Sequence, residues 1–317
     1  MRVLKGHPRD VRAVAFAPDG RLVSGGDRTV RLWDAAAGTG TVVTKTRGPV
    51  YAVAVPPKGP ALAHGGRFAT GAESNAVQVC DRAGKFLASR DLRFTVNQPE
   101  WNAGQFVTVA RPEPRSIWGM AFSPDGAYLA AVCRRMGGAN IPNGGGGMCW
   151  PFDPSATAPP VALPEDAYAL AFAPTGHRLG VTRRNRVSFY PTPHATEPVS
   201  YSLTAMWSAA VAFVPGADLA VVASSSSLHF VNPVRAEKPT RVKTGSRVAA
   251  LAVSPDGRAV LAGGREGLVE VYDPLSRARA KTYDFGIGGL HALAFAPDGL
   301  TFAAAGDAGL VVCDFEH

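Results

Sequence analysis

Apolar and polar residues alternate in short runs along this chain, and each run ends at a tight turn. Near the start, Val11, Ala13 and Ala15 fall on one phase and Arg12, Val14 and Phe16 on the other. A period of two belongs to a β-strand, not a helix. Pro18-Asp19-Gly20 follows and predicts a turn, because proline presets φ and glycine accepts positive φ. Leu22-Val23-Ser24 forms the next short strand, and Gly25-Gly26-Asp27 turns again. Val30-Arg31-Leu32-Trp33 makes a third strand, and a fourth runs near Thr41 to Lys45. No segment shows a sustained helical period.

The pattern then repeats. Val-Ala-Phe-Ala-Pro-Asp-Gly at 14–20 returns with small changes at 120–126, 170–176, 251–257 and 293–299, and in degraded form at 53–59 and 211–217. The repeat proline falls at 18, 57, 124, 174, 215, 255 and 297. Seven such units, with insertions at about 92–116 and 134–147, account for residues 1–317 as one domain. A four-stranded unit exposes two apolar faces and cannot stand alone, whereas units arranged radially bury each other's faces. The expected fold is therefore all-β: a seven-bladed β-propeller of four-stranded antiparallel blades. The last unit stops after its third strand, at 310–314, and Arg2 to Lys5 stand where a fourth belongs. The N-terminal strand is expected to complete blade 7 and close the ring.

Gly6-His7 followed by Val30-Arg31-Leu32-Trp33-Asp34 resembles a WD40 repeat, in a degenerate form of bacterial type. Asp27, six residues before Trp33, matches that family's blade-turn aspartate. Elsewhere the Trp slot holds Cys80, Phe152, Tyr190, Val231, Tyr272 and Cys313, while Asp307 keeps the turn aspartate in the last unit and Glu266 replaces it in the sixth. The resemblance implies a buried hydrogen-bonded network of His7, Ser24, Asp27 and Trp33 in blade 1, and leaves the other blades to apolar packing. It also implies a non-catalytic scaffold that recognises a protein or peptide partner through its top face and channel mouth. The top face is the one carrying the turns between second and third strands.

Composition narrows the alternatives. The chain is 46% hydrophobic and 18% charged, which excludes a disordered chain. A formal charge of +8 comes mostly from arginines scattered along the sequence. No apolar run is long enough for a membrane helix, and the N-terminus lacks a signal peptide's apolar core. Four cysteines are too few for a disulfide scaffold, so a cytoplasmic protein with reduced thiols is expected. Cys133 and Cys149 flank one long loop and are expected to be neighbours across two strands. No nucleophile elbow, phosphate loop or metal-ligand spacing is present, so no cofactor and no metal are expected. Two alternative functions remain. One is a propeller enzyme, a hydrolase or oxidoreductase, with its site at the channel mouth, for which the innermost strands offer His291. The other is nucleic-acid binding through the arginines of blades 3 and 4, Arg134, Arg135, Arg183, Arg184 and Arg186. A monomer or a member of a hetero-complex is expected.

One slot stands out. Six residues before each repeat proline are Arg12, Tyr51, Trp118, Tyr168, Ala209, Ala249 and His291. If that slot opens the innermost strand, these residues ring the top mouth of the central channel. Three consecutive blades then place Tyr51, Trp118 and Tyr168 side by side, beneath the long insertions. Aromatic faces hold an Arg, Lys or methylated Lys side chain by cation–π attraction. The cluster, extended by Arg12, His291, Trp101, Arg134 and Arg135, is the candidate anchor for a partner presenting a basic side chain. The slot also alternates in phase with Val14 and Phe16, so packing of these side chains between blades is the competing reading. Drift in tolerant loops competes likewise for the insertions.

Overall fold

The computed structural model describes residues 1–59, 61–66, 76–91, 95–102, 105–112, 115–135, 145–152, 159–203 and 208–316. Strands account for its regular structure, in seven four-stranded antiparallel sheets and one two-stranded hairpin. Blade 1 is Val11–Phe16, Leu22–Gly26, Thr29–Asp34 and Thr39–Lys45. Blade 2 begins at Val50–Ala54, blade 3 at Arg115–Phe122, blade 4 at Ala169–Phe172 and blade 5 at Ser208–Val214. Blade 6 begins at Val248–Val253 and blade 7 at Leu290–Phe295. The sheets of blades 1 to 6 run in sequence order, as hairpin connections dictate. The first strand of every blade touches the first strands of the blades before and after it, blade 7 meeting blade 1. That circular contact is the propeller.

Closure is made by the chain's own ends. Arg2–Leu4 pairs antiparallel with Gly309–Asp314, Arg2 opposite Val312 and Leu4 opposite Leu310. The N-terminal strand is thus the fourth strand of blade 7, and the ring has no open edge at the seam.

The core lies between blades. Period-two alternation sends successive side chains to opposite faces of each sheet, and each face meets a neighbour. In blade 1, Leu22 and Trp33 pack with Leu4, Ala303 and Leu310 of blade 7. Val23, Val30 and Leu32 point the other way, onto Val50, Val53, Leu62 and Cys80 of blade 2. The same arrangement recurs at the remaining blade boundaries, ending with Phe302, Val311 and Phe315 against Leu261, Val269 and Val271. Trp33 is 1% exposed; burying so large a side chain contributes about 1.5–3 kcal/mol. Gly40 makes room for it, because a Cβ there would run into the indole ring.

Several sequence expectations change here. The 92–116 insertion contains a β-hairpin, Thr95–Asn102 paired with Gln105–Pro112. The tip of the 134–147 insertion lies outside the described residues. Cys133 and Cys149 are not cross-strand neighbours: the register sets Cys133 opposite Gly146 and Cys149 opposite Ala130. All four cysteines are buried free thiols. Burial pushes the Cys149 thiol up to about 12, which makes it a poor nucleophile.

Candidate functional site

Blade 1 shows how local sequence sets side-chain direction. His7 Nδ1 lies 2.8 Å from Asp27 Oδ1, and His7 Nε2 lies 2.7 Å from Ser24 Oγ. Trp33 Nε1 donates to the same Ser24 oxygen at 2.7 Å, and Thr29 Oγ1 donates to Asp27 Oδ1 at 3.0 Å. Burial holds the His7 pKa below its ordinary value, against the pull of Asp27. The neutral ring therefore gives its Nδ1 proton to Asp27 and accepts from the serine hydroxyl.

Blade 6 solves the same problem with other residues. Glu270 is 3% exposed. It accepts hydrogen bonds from Tyr272 Oη at 2.9 Å, from the Gly245 amide at 3.0 Å and from Arg279 at 2.8 Å. Apolar packing alone was expected outside blade 1, so this network is a correction. Glu266 does not take Asp27's place either. Gly26 closes the second strand of blade 1 and Gly264 that of blade 6, so Arg265 occupies the position of Asp27. Counting back from the Trp slot misses this because the blade 6 turn is one residue longer (Gly263 opposite Val269, against Gly25 opposite Val30).

The slot residues sit at β-bulges. The ladder skips one residue between Val11 and Ala13, Val50 and Ala52, Ile117 and Gly119, Ser208 and Ala210, Val248 and Ala250, and Leu290 and Ala292. The skipped residues are Arg12, Tyr51, Trp118, Ala209, Ala249 and His291. In blade 4, Tyr168 stands just before the strand, its amide bonded to the Thr182 carbonyl at 2.8 Å. A bulge breaks the alternation and re-aims the extra side chain. All seven slot residues line one cavity of about 570 Å³, instead of entering the interblade core. Arg247, Arg265 and Asp307 complete its polar wall.

The mouth has two arcs. On one, Tyr51 stacks on Trp118 with ring centroids 4.8 Å apart and planes 16° from parallel. Arg12 covers Tyr51, its guanidinium carbon 5.1 Å from the ring centroid, and pairs with Asp10. The three aromatic rings were expected to present open faces to a basic side chain; instead Tyr51 lies between Trp118 and the chain's own arginine. On the other arc, His291 Nε2 meets Asp307 Oδ1 at 2.8 Å, and Asp307 Oδ2 accepts the Gly289 amide at 2.9 Å. The backbone amide of Arg265 donates to the Arg247 carbonyl at 3.1 Å, setting these two residues side by side.

Of the other expected site residues, Trp101 lies in the insertion hairpin and Arg134 and Arg135 at the end of the strand Tyr128–Arg135. Their side chains are outside the described residues. Arg183 pairs with Asp166. Sequence reasoning missed Arg247, Arg265 and Asp307. The signal for the last two was the turn residue following the second-strand glycine, the position Asp27 holds in blade 1. Among the described residues, no group of three His, Cys, Asp or Glu side chains comes together as a metal site would require.

The family model described as WD domain, G-beta repeat matches residues 1–34 and 237–273. These two stretches are WD40 repeats. The matched stretches contain the polar network of blade 1 and, apart from Arg279, that of blade 6. Centriole proteome protein 16 of Chlamydomonas reinhardtii is 32% identical over 146 residues, 44% of this WD40-repeat chain and 6% of that protein. An uncharacterized WD repeat-containing protein of Synechocystis sp. is 42% identical over 78 residues, 23% of this chain and 21% of its own length. Protein Mut11 of Chlamydomonas reinhardtii is 60% identical over 37 residues, 11% of this chain and 10% of the relative. The matched segments thus span about a fifth or less of each relative's length. A bacterial type for the repeats is not borne out by this spread of sources.

Proposed function

We propose that this WD40-repeat propeller is a non-catalytic scaffold that grips a protein partner by inserting one of its peptide segments into the top mouth. The observation carrying this reading is the cavity ringed by all seven slot residues. Bulges turn large amphipathic side chains into a concave space that the core does not need filled. Trp118 is 38% exposed there, and exposed aromatics at a concave centre are what interface hot spots favour. Among the described residues the lining holds one His–carboxylate pair, His291 with Asp307, and no serine, threonine or cysteine, which supports recognition over catalysis. Pairing of Arg183 with Asp166 reduces the charge blade 4 offers a phosphate backbone. We place the role in the cytoplasm, where the four buried thiols would stay reduced, and in a hetero-complex.

The test compares the wild-type chain with a Trp118→Ala, Tyr168→Ala variant as bait in an affinity capture, with thermal melts on both. A partner anchored at the mouth should bind the variant about 2–4 kcal/mol more weakly at an unchanged melt. Equal retention by both baits would move the interface elsewhere on the propeller.

A further inference from the structure

The charges of the mouth point to the chemistry of its ligand. The position a basic side chain would take against Tyr51 is already filled: Arg12 lies over Tyr51, and Tyr51 over Trp118. An incoming Lys or Arg would meet a guanidinium there, at a cost in like-charge repulsion. Across the cavity, Arg247 and Arg265 of blade 6 are joined by a backbone hydrogen bond, line the same space and are both exposed. Among the described residues neither has a carboxylate within ion-pair distance. Asp307, the carboxylate of the lining, is engaged by His291 through one oxygen and by the Gly289 amide through the other.

Two arginines lining one cavity raise its positive potential, which an entering anion offsets. Their planar forks match the oxygens of carboxylate and phosphate. The opposite wall, with Trp118, Tyr168, Met120 and Leu170, suits an apolar group. About 570 Å³ accommodates two or three side chains, not a folded domain.

We infer that the mouth takes a peptide carrying an anionic side chain, a phosphorylated residue or a carboxylate, held by Arg247 and Arg265 with an adjacent apolar residue against Trp118 and Tyr168. This rests on the reading of the mouth as a peptide site.

The experiment uses fluorescein-labelled short peptide libraries, degenerate except for a phenylalanine and a neighbour that is phosphoserine, glutamate, alanine or lysine. Anisotropy is measured against the full chain, against Arg247→Ala, Arg265→Ala, and against Trp118→Ala, Tyr168→Ala. Both pairs of residues face the cavity, and a melt on each variant verifies that it folds. The anionic libraries should bind about tenfold or more tightly than the alanine library, the gain from one or two charge-assisted hydrogen bonds. The arginine variant should fall to the alanine level with every anionic library. The ratio of phosphoserine to glutamate identifies which anion the site prefers. A lysine library that binds best, or an anion preference that survives loss of both arginines, overturns the inference while leaving the peptide reading intact. Libraries indifferent to both variants would remove the peptide reading and the inference with it. A single-stranded oligonucleotide that binds through Arg247 and Arg265 where peptides fail would reassign the charges to nucleic acid.

Discussion

Tyr272 donates its phenol proton to Glu270 across 2.9 Å, from the same strand and the same face of blade 6. The ladder sets Tyr272 opposite Val260 and Trp33 opposite Leu22, so the two aromatics occupy equivalent positions in their blades. Trp33 is fixed by Ser24, and Tyr272 by a carboxylate that also satisfies the Gly245 amide. Burial, and then the Glu270 bond, push the Tyr272 phenol up, so it stays a donor at every working pH.

Removing that carboxylate should be costly. Glu270→Ala leaves a buried phenol and an amide without their acceptor, an expected loss of about 2–4 kcal/mol. Urea denaturation measures it. Pairing the change with Tyr272→Phe should cost less than the two singly, since both remove one network. Additive losses would mean that the residues act independently.

Ring closure makes a second prediction. Deleting residues 1–5 removes the strand that pairs with Gly309–Asp314 and takes Leu4 from the blade 7–blade 1 core. The bared edge should lower the melting temperature and promote association. Light scattering and a thermal melt decide the matter, and an unchanged melt would show that the seam is held by the blade faces alone.

Acid should destabilise the propeller through its buried histidines. Burial lowers the pKa of His7, His64 and His229, that of His64 to about 4. The unfolded chain, with ordinary values near ~6.5, binds more protons below that pH. The stability these groups contribute is therefore complete above about pH 6.5 and is lost as pH falls through the folded values. His64 alone should contribute a slope of about 1.4 kcal/mol per pH unit in that window. Urea midpoints at several pH values test this: His64→Phe should flatten the slope, and a wild-type profile flat from neutrality to pH ~4.5 would contradict it.

Neighbouring residues at the mouth should respond in opposite ways. Ile117 is fully buried between blades 2 and 3, and Ile117→Ala should cost about 2–5 kcal/mol. Trp118, the next residue, is skipped by the ladder and half exposed in the cavity. Trp118→Ala should cost less than Ile117→Ala, with about 0.5–1.5 kcal/mol of it from the lost stacking on Tyr51. Denaturant midpoints for both variants check the contrast. A Trp118 loss as large as that of Ile117 would return the slot to the core.

The blades were legible in the sequence because each property that makes a blade is local. Period-two alternation, Pro-Asp-Gly turns and a recurrent spacing need only neighbours along the chain. The missing fourth strand after Asp314 and the spare one before Gly6 identified closure for the same reason. The seven slot positions could also be aligned from the repeat proline alone. Their direction could not. Simple alternation gives Arg12 the phase of Val14 and Phe16, with equal claim to core or channel. A one-residue bulge, visible only in the pairing of two strands, turns it to the cavity. The charge arrangement is further still from the sequence. Arg247 and Arg265 are eighteen residues apart, joined by one backbone bond, and face aromatics from other blades. Closing the ring sets Arg12 against Tyr51 and brings Arg247, Arg265, His291 and Asp307 onto the same mouth, because radial packing juxtaposes first strands that are distant along the chain.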